Sequence, residues 1–197
     1  MSMASIIAEK AFELSLDGAI RRILKRRLSA AREILMQELD SGGIDLDEAT
    51  ESDECATMIF EYARAAQHGA ARRNLRLLAQ VMRGTLMTKP LYPNEFMRWS
   101  KILSDLSREE IILLATLQKF QSDPKNQNPR LSTQNELVGR DKVFPNEEEF
   151  NATAYALLRT GLIILLNPFG GLSFRASPLV DKLIKFANIE IVLKEPD

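Results

Sequence analysis

Cysteine, histidine and tryptophan occur once each among 197 residues, and the first two scarcities each remove a class of chemistry. A lone Cys55 cannot close an internal disulfide, which fits a reducing cytoplasm. Zinc needs several Cys and His ligands, and one of each does not supply them. A nucleophilic triad needs a base beside its nucleophile, and His68 is the sole imidazole. It stands thirteen residues from Cys55 on one predicted helix, about 20 Å along the axis, so the two form no dyad within one chain. Long apolar runs are also missing. The longest, Leu162 to Leu166, is five residues, where a membrane span needs about 20. Near the start, Glu9, Lys10 and Glu13 interrupt the place where the apolar core of a secretory signal would sit, so export is not expected. Gly42 with Gly43 lacks the Lys and Ser or Thr of a phosphate loop, and Gly170 with Gly171 reads as a turn. The acid-rich stretch Asp40 to Glu51 lacks alternating ligands around a central glycine, so a solvated loop is expected rather than a calcium site. No catalytic, cofactor-binding or metal-ligating residue is assigned, and the expectation is a non-enzymatic protein without a cofactor.

What is present is charge, unevenly placed. The 26 bases nearly balance the 27 acids, and apolar residues make up 45%, ordinary globular usage. Residues 40 to 61 nevertheless carry only acids among their charged side chains: Asp40, Asp45, Asp47, Glu48, Glu51, Asp53, Glu54 and Glu61. Residues 62 to 101 reverse this, with Arg64, Arg72, Arg73, Arg76, Arg83, Lys89, Arg98 and Lys101 against Glu95 alone. Such blocks either face each other across packed helices or stand as solvated faces. The functional alternative is a basic docking surface. Cys55 sits beside Glu51, Asp53 and Glu54, whose charge opposes a thiolate, so a buried structural thiol is expected.

Apolar spacing predicts a mainly α protein. From Ile6 to Leu39, the residues Phe12, Leu16, Ile20, Ile23, Leu24, Leu28, Ala31, Ile34, Leu35 and Leu39 form one helical stripe. Ser41, Gly42 and Gly43 end it. Arg21, Lys25 and Arg32 share the polar side, whereas Arg27 points into the apolar arc, its stem expected on apolar surface and its head in water. A second helix is predicted from about Ser52 to Gln67, capped by Thr50 or Ser52, and Gly69 separates it from a third at about Ala70 to Met87. The third aligns Ala71, Leu75, Leu78, Met82 and Leu86 toward a core. On its other side Arg72, Arg76 and Arg83 fall within about 40 degrees of one another, the most concentrated basic face in the chain.

Pro93 reads as the first position of a fourth helix with Phe96, Trp99, Leu103 and Leu106, its aromatic pair expected in the core. Ser107, Arg108, Glu109 and Glu110 form a capping box ahead of the next helix. Gln121 to Arg130 reads as a polar loop. A short helix from Ser132 to Gly139 follows, then one from Asn146 to Thr160. Leu162 to Leu166 reads as a buried strand, Asn167 to Gly171 as a turn and Leu172 to Arg175 as a returning strand. Ser177 and Pro178 open a last helix, and Ile189 to Leu193 reads as a terminal strand. The division expected is a helical bundle over 1–106 and a second part over 107–197.

The order of helix, helix, helix and hairpin over residues 107 to 187, with the passage Ala156, Leu157, Leu158, Arg159, Thr160, Gly161, Leu162, Ile163, resembles the winged-helix family. The resemblance implies a third helix that enters a DNA major groove. Here that helix opens with Glu147, Glu148 and Glu149, three carboxylates where phosphates would approach, each repelling a phosphate by ~1 kcal/mol at contact distance in water. DNA reading is therefore disfavoured, and Arg175, Lys182 and Lys185 are left as the nucleic-acid route of an alternative transcriptional regulator. The first 120 residues are similar to bacterial helical proteins of the abortive infection alpha kind, through the leucine-rich helix Leu75 to Leu86, a proline break, the aromatic helix Phe96 to Leu106, and Ser107 to Glu110. That likeness implies a bacterial stress or phage response. The function expected is protein interaction or regulatory scaffolding, with Arg72, Arg76 and Arg83 as partner-binding residues and another copy of the chain as one partner. A membrane-surface role for Arg21, Arg22, Lys25, Arg26 and Arg27 ranks last, because Glu9, Glu13, Asp17, Glu33 and Glu38 dilute that face.

Overall fold

A computed structural model of the chain describes residues 3–44, 52–88, 93–167 and 173–193, the side chains of 3–17 and 191 excepted. It is mainly helical, with one small antiparallel hairpin near the C-terminus. Helices α1 (Met3–Ser41), α2 (Asp53–His68), α3 (Arg72–Met87) and α4 (Pro93–Leu103) come first. Then follow α5 (Arg108–Gln121), α6 (Pro129–Leu137), α7 (Glu147–Leu158), strands β1 (Ile163–Asn167) and β2 (Ser173–Ala176), and helices α8 (Pro178–Phe186) and α9 (Ile189–Val192).

Local sequence sets most of these boundaries. Ser52 caps α2 by accepting from the Cys55 amide at 3.1 Å, and Gly69 ends it at φ 97°, a conformation that glycine adopts without steric cost. Both halves of the Ser107 and Glu110 capping box form, at 3.1 and 2.7 Å. Helix α6 begins at Pro129, earlier than the predicted Ser132. Asn128 accepts from the Leu131 amide at 3.1 Å, and proline suits a first helical position.

Two expectations about strands are corrected. Ile189 to Val192 is helical, because Ile189 and Val192 stand one turn apart and both are buried where α9 packs on α3 and α5. The first hairpin strand is buried only where it starts: Leu162 and Ile163 are enclosed, but Leu165 and Leu166 are 48% and 53% exposed. A two-stranded sheet leaves its tip without a covering layer, and the register is irregular between Leu165 and Asn167. The turn residues 168–172 lie outside the described residues.

Helix α3 is the axis of the fold. It packs against α1, α2, α4, α8 and α9 and buries residues on several sides, including Arg73, Asn74 and Gln80. Asn74 donates to the carbonyls of Leu103, at 2.7 Å, and Leu106, at 2.8 Å, so it ties off the end of α4, whose last carbonyls have no partner within the helix. Phe96 and Trp99 of α4 are buried, as expected. In the second part, Phe150 of α7 lies between Phe144 and Phe174, with ring centroids 5.6 and 6.0 Å apart. The expected boundary near Leu106 falls between α4 and α5. Because α8 and α9 return to α3, one apolar core runs from Ala31 to Val192.

Gly84 of α3 faces Phe186 of α8, and a Cβ there would overlap Cδ1 of its ring and stand 2.9 Å from its Cβ methylene. The near end of a side chain cannot swing away, so α8 would have to move. Gly84→Ala is expected to destabilise the fold by ~1–3 kcal/mol despite alanine's better helix propensity, read as a lower denaturation midpoint at unchanged slope.

Candidate functional site

The basic face of α3 is turned inward over much of its length. Arg76 and Arg83 both bond Glu38 of α1, a carboxylate only 6% exposed between the apolar Leu35 and Leu39. Arg76 Nη1 lies 3.1 Å from Glu38 Oε1 and Arg83 Nη1 lies 3.0 Å from Oε2. Gln80, one turn from each arginine, donates to Oε1 at 3.2 Å. Its own Oε1 accepts from the Asn188 amide between α8 and α9, at 2.8 Å. Arg83 also donates to Ser41 Oγ at 2.7 Å, and Arg76 to Gln37 Oε1 at 3.1 Å. A carboxylate this enclosed is tolerable only with such partners. Arg72, at the start of α3, is exposed. Of the three expected partner-binding arginines, two are thus brought together on an internal acid and one faces outward.

The basic residues set aside for nucleic acid, Arg175, Lys182 and Lys185, are all exposed. Arg175 is exposed on β2, and Lys182 of α8 approaches Glu95 of α4 at 3.9 Å. Lys185, also on α8, lines a cavity of about 460 Å³ with Lys119 and Phe186. Glu147, Glu148 and Glu149 are all exposed at the start of α7, and Arg130 reaches only Glu147, at 3.7 Å. Arg159, the one base of that helix end, is held by the buried Glu110 at 3.1 Å.

Nucleophile and base stay apart. Cys55 and His68 stand at opposite ends of α2. Burial pushes the Cys55 thiol above its ordinary pKa of 9.0, which removes the thiolate at neutral pH. Tyr62, buried where α2 meets α1, donates to the Ala31 carbonyl at 2.9 Å. Burial raises its pKa well above 10.0; the charges of Arg76 and Arg72 pull it down and that of Glu38 pushes it up. His68 does share a cleft of about 260 Å³ with Ser100, Ser104 and Asp105, but Ser104 Oγ donates to its own helix, at the Ser100 carbonyl 2.6 Å away. Among the described residues no group of three or more His, Cys, Asp and Glu is placed to hold a metal ion, and no helix is long and apolar enough to cross a membrane. Most of the acid-rich stretch weighed for calcium lies outside the described residues.

Among the described residues, α1 carries an extended run whose apolar residues lack a cover. Ala31, Ile34, Leu35 and Leu39 are buried, but from Gly18 to Ala30 no side chain is, and Ile20 and Ile23 are 45% and 49% exposed. Leu24 and Leu28 floor a groove of about 500 Å³ beside the end of α2, rimmed by Arg21, Lys25 and Arg32. Arg27 is exposed, as expected, and its Nη1 also lies 3.4 Å from the Gln67 carbonyl at the end of α2. The side chains of Phe12 and Leu16, which continue the stripe in sequence, lie outside the described residues. No protein-family model, curated protein or solved structure matches this chain.

Two outcomes follow from the buried groups. Glu38→Ala should cost ~2–4 kcal/mol in chemical denaturation, somewhat below a fully buried pair because both guanidiniums retain some solvent contact, and Glu38→Gln, which keeps an acceptor, should cost less. Cys55 and Tyr62 stay protonated in the folded chain at pH values where the unfolded chain ionises. Their contribution is fully present below pH about 9 and is lost as pH rises past 9.0 and then 10.0. Stability measured from pH 7 to 10.5 should therefore fall at the alkaline end, and Cys55→Ser with Tyr62→Phe should flatten that fall.

Proposed function

We propose that this protein is a non-enzymatic interaction module in which a helical body presents residues 18–30 of α1 as a contact surface for another polypeptide. The observation that carries this reading is the change of environment along one helix. Ile34 and Leu39 are 1% and 0% exposed, while Ile20 and Ile23, on the same stripe, stand about half open. An apolar strip rimmed by cations is the form of surface that receives an amphipathic helix. The internal use of Arg76 and Arg83 supports moving the contact from the basic face of α3 to α1. The separation of Cys55 from His68, and the commitment of the Ser104 hydroxyl to its own helix, support a binding role over catalysis. Three exposed glutamates at the entrance of α7 support a polypeptide over DNA as the contacted molecule. The setting is a bacterial cytoplasm, in a stress or phage response, as the likeness of the first 120 residues implies.

A photo-reactive phenylalanine analogue placed at position 23 tests the reading in host cells. Discrete protein adducts are expected, absent when Ile20→Asp is added and absent for the same analogue at position 148 on α7. Adducts at position 23 no stronger than those at position 148 would refute it.

A further inference from the structure

We infer that the α1 groove takes an acidic amphipathic helix of another protein, its apolar face on Leu24 and Leu28 and its carboxylates along a row formed by Arg21, Lys25 and Arg32. The inference rests on the interaction reading above and specifies the chemistry of the partner. At about 100 degrees per residue those three cations fall within about 40 degrees of one another, a row about 16 Å long on the side of α1 next to Leu28. They line the same groove as the two leucines and Gln67 of α2. A helix of about three turns spans that row, and acids about four and seven residues apart along it would meet the three cations in turn.

Among the described residues this positive charge is uncompensated. From Gly18 to Arg32 the helix carries six cations and no acid. All six are exposed, and none has a carboxylate partner among the described residues. Apart from Asp17, whose side chain lies outside those residues, no acid stands three or four positions from any of them. Arg21 and Lys25, like Arg22 and Arg26, instead stand four apart, where like charges oppose a helix. A partner that brings carboxylates and apolar side chains together relieves that repulsion and covers the groove floor in one contact. A lipid bilayer fits less well. Arg27 lies within about 20 degrees of Ile20 around the helix and bonds the end of α2, so sinking the isoleucines into acyl chains would take a guanidinium with them. Nucleic acid would engage the cations but leave Leu24, Leu28, Ile20 and Ile23 without cover.

Peptide binding to the full chain decides the matter. The probe is a fluorescein-labelled helical peptide of about 20 residues, long enough to overlie the row, with leucine at heptad positions a and d, glutamate beside them and alanine elsewhere. Fluorescence anisotropy in ~50 mM salt should show saturable binding, about tenfold or more tighter than for the same peptide with lysine in place of glutamate. Arg21→Glu with Lys25→Glu should reverse that preference with helical circular dichroism unchanged. Leu24→Asp should weaken binding of the acidic peptide about tenfold or more. Arg98→Glu with Arg140→Glu, an equal change of net charge at exposed positions elsewhere, should leave its affinity within about twofold. No binding of the acidic peptide, equal binding of both peptides, or loss of binding through the distant pair would overturn the inference. So would phosphatidylglycerol vesicles that bind more tightly than the peptide, or a wild-type dimer in light scattering that excludes it. Adducts at position 23 that persist in the Arg21→Glu, Lys25→Glu variant would remove this inference and leave the interaction reading standing, whereas adducts no stronger than those at position 148 would remove that reading itself.

Discussion

The buried Glu38 is the constraint on which the arrangement depends. A carboxylate enclosed among leucines forces its surroundings to supply donors, and they come from one neighbouring helix, α3, through Arg76, Gln80 and Arg83. The spacing of those three, four and three residues apart, is what lets one helix face offer three donors to a single acid. Gln80 then passes the constraint onward by accepting from Asn188, which fixes the chain as it leaves α8. Chain segments about 150 residues apart in sequence are thereby joined through one side chain. Replacing such a cluster by apolar residues need not cost stability, but it would remove the directional element of the packing.

A second consequence concerns what is left over. The network grips α1 only at its C-terminal end, where Glu38 and Ser41 meet α3 and Tyr62 bonds Ala31. Upstream, α1 continues as helix without a layer of its own protein over Ile20 and Ile23. An isolated helix of that length is marginal in water, and most helical stability in proteins comes from packing of an apolar face. The arm therefore has a physical reason to acquire a partner.

Helix starts were the most legible part of the sequence, because caps are chemistry local to four residues. Ser52, Ser107, Asn146 and Ser177 all act where the pattern put them. The strand expected at Ile189 to Leu193 failed because a short apolar run has no period long enough to separate strand from helix, and the packing of α9 on α3 decided it. The blocks of opposite charge pointed to an acid between residues 40 and 61, but the acid that matters is Glu38, just outside. Its signal was available: it stands between Leu35 and Leu39 on the apolar arc of the first helix, where a charge demands a partner. Arg72, Arg76 and Arg83 were legible as a face, but whether that face looks inward or outward depends on which helix lies across from it, a tertiary fact that no spacing encodes. The groove at Leu24 and Leu28 depends in the same way on where α2 ends.

Amide hydrogen exchange along α1, followed at a protein concentration too low for association, tests the central claim most directly. The account predicts that amides of residues 31–41 exchange as slowly as those of α3, through global unfolding, while those upstream of about residue 28 exchange orders of magnitude faster. Equal protection along the whole helix, or rapid exchange in residues 31–41, would contradict it.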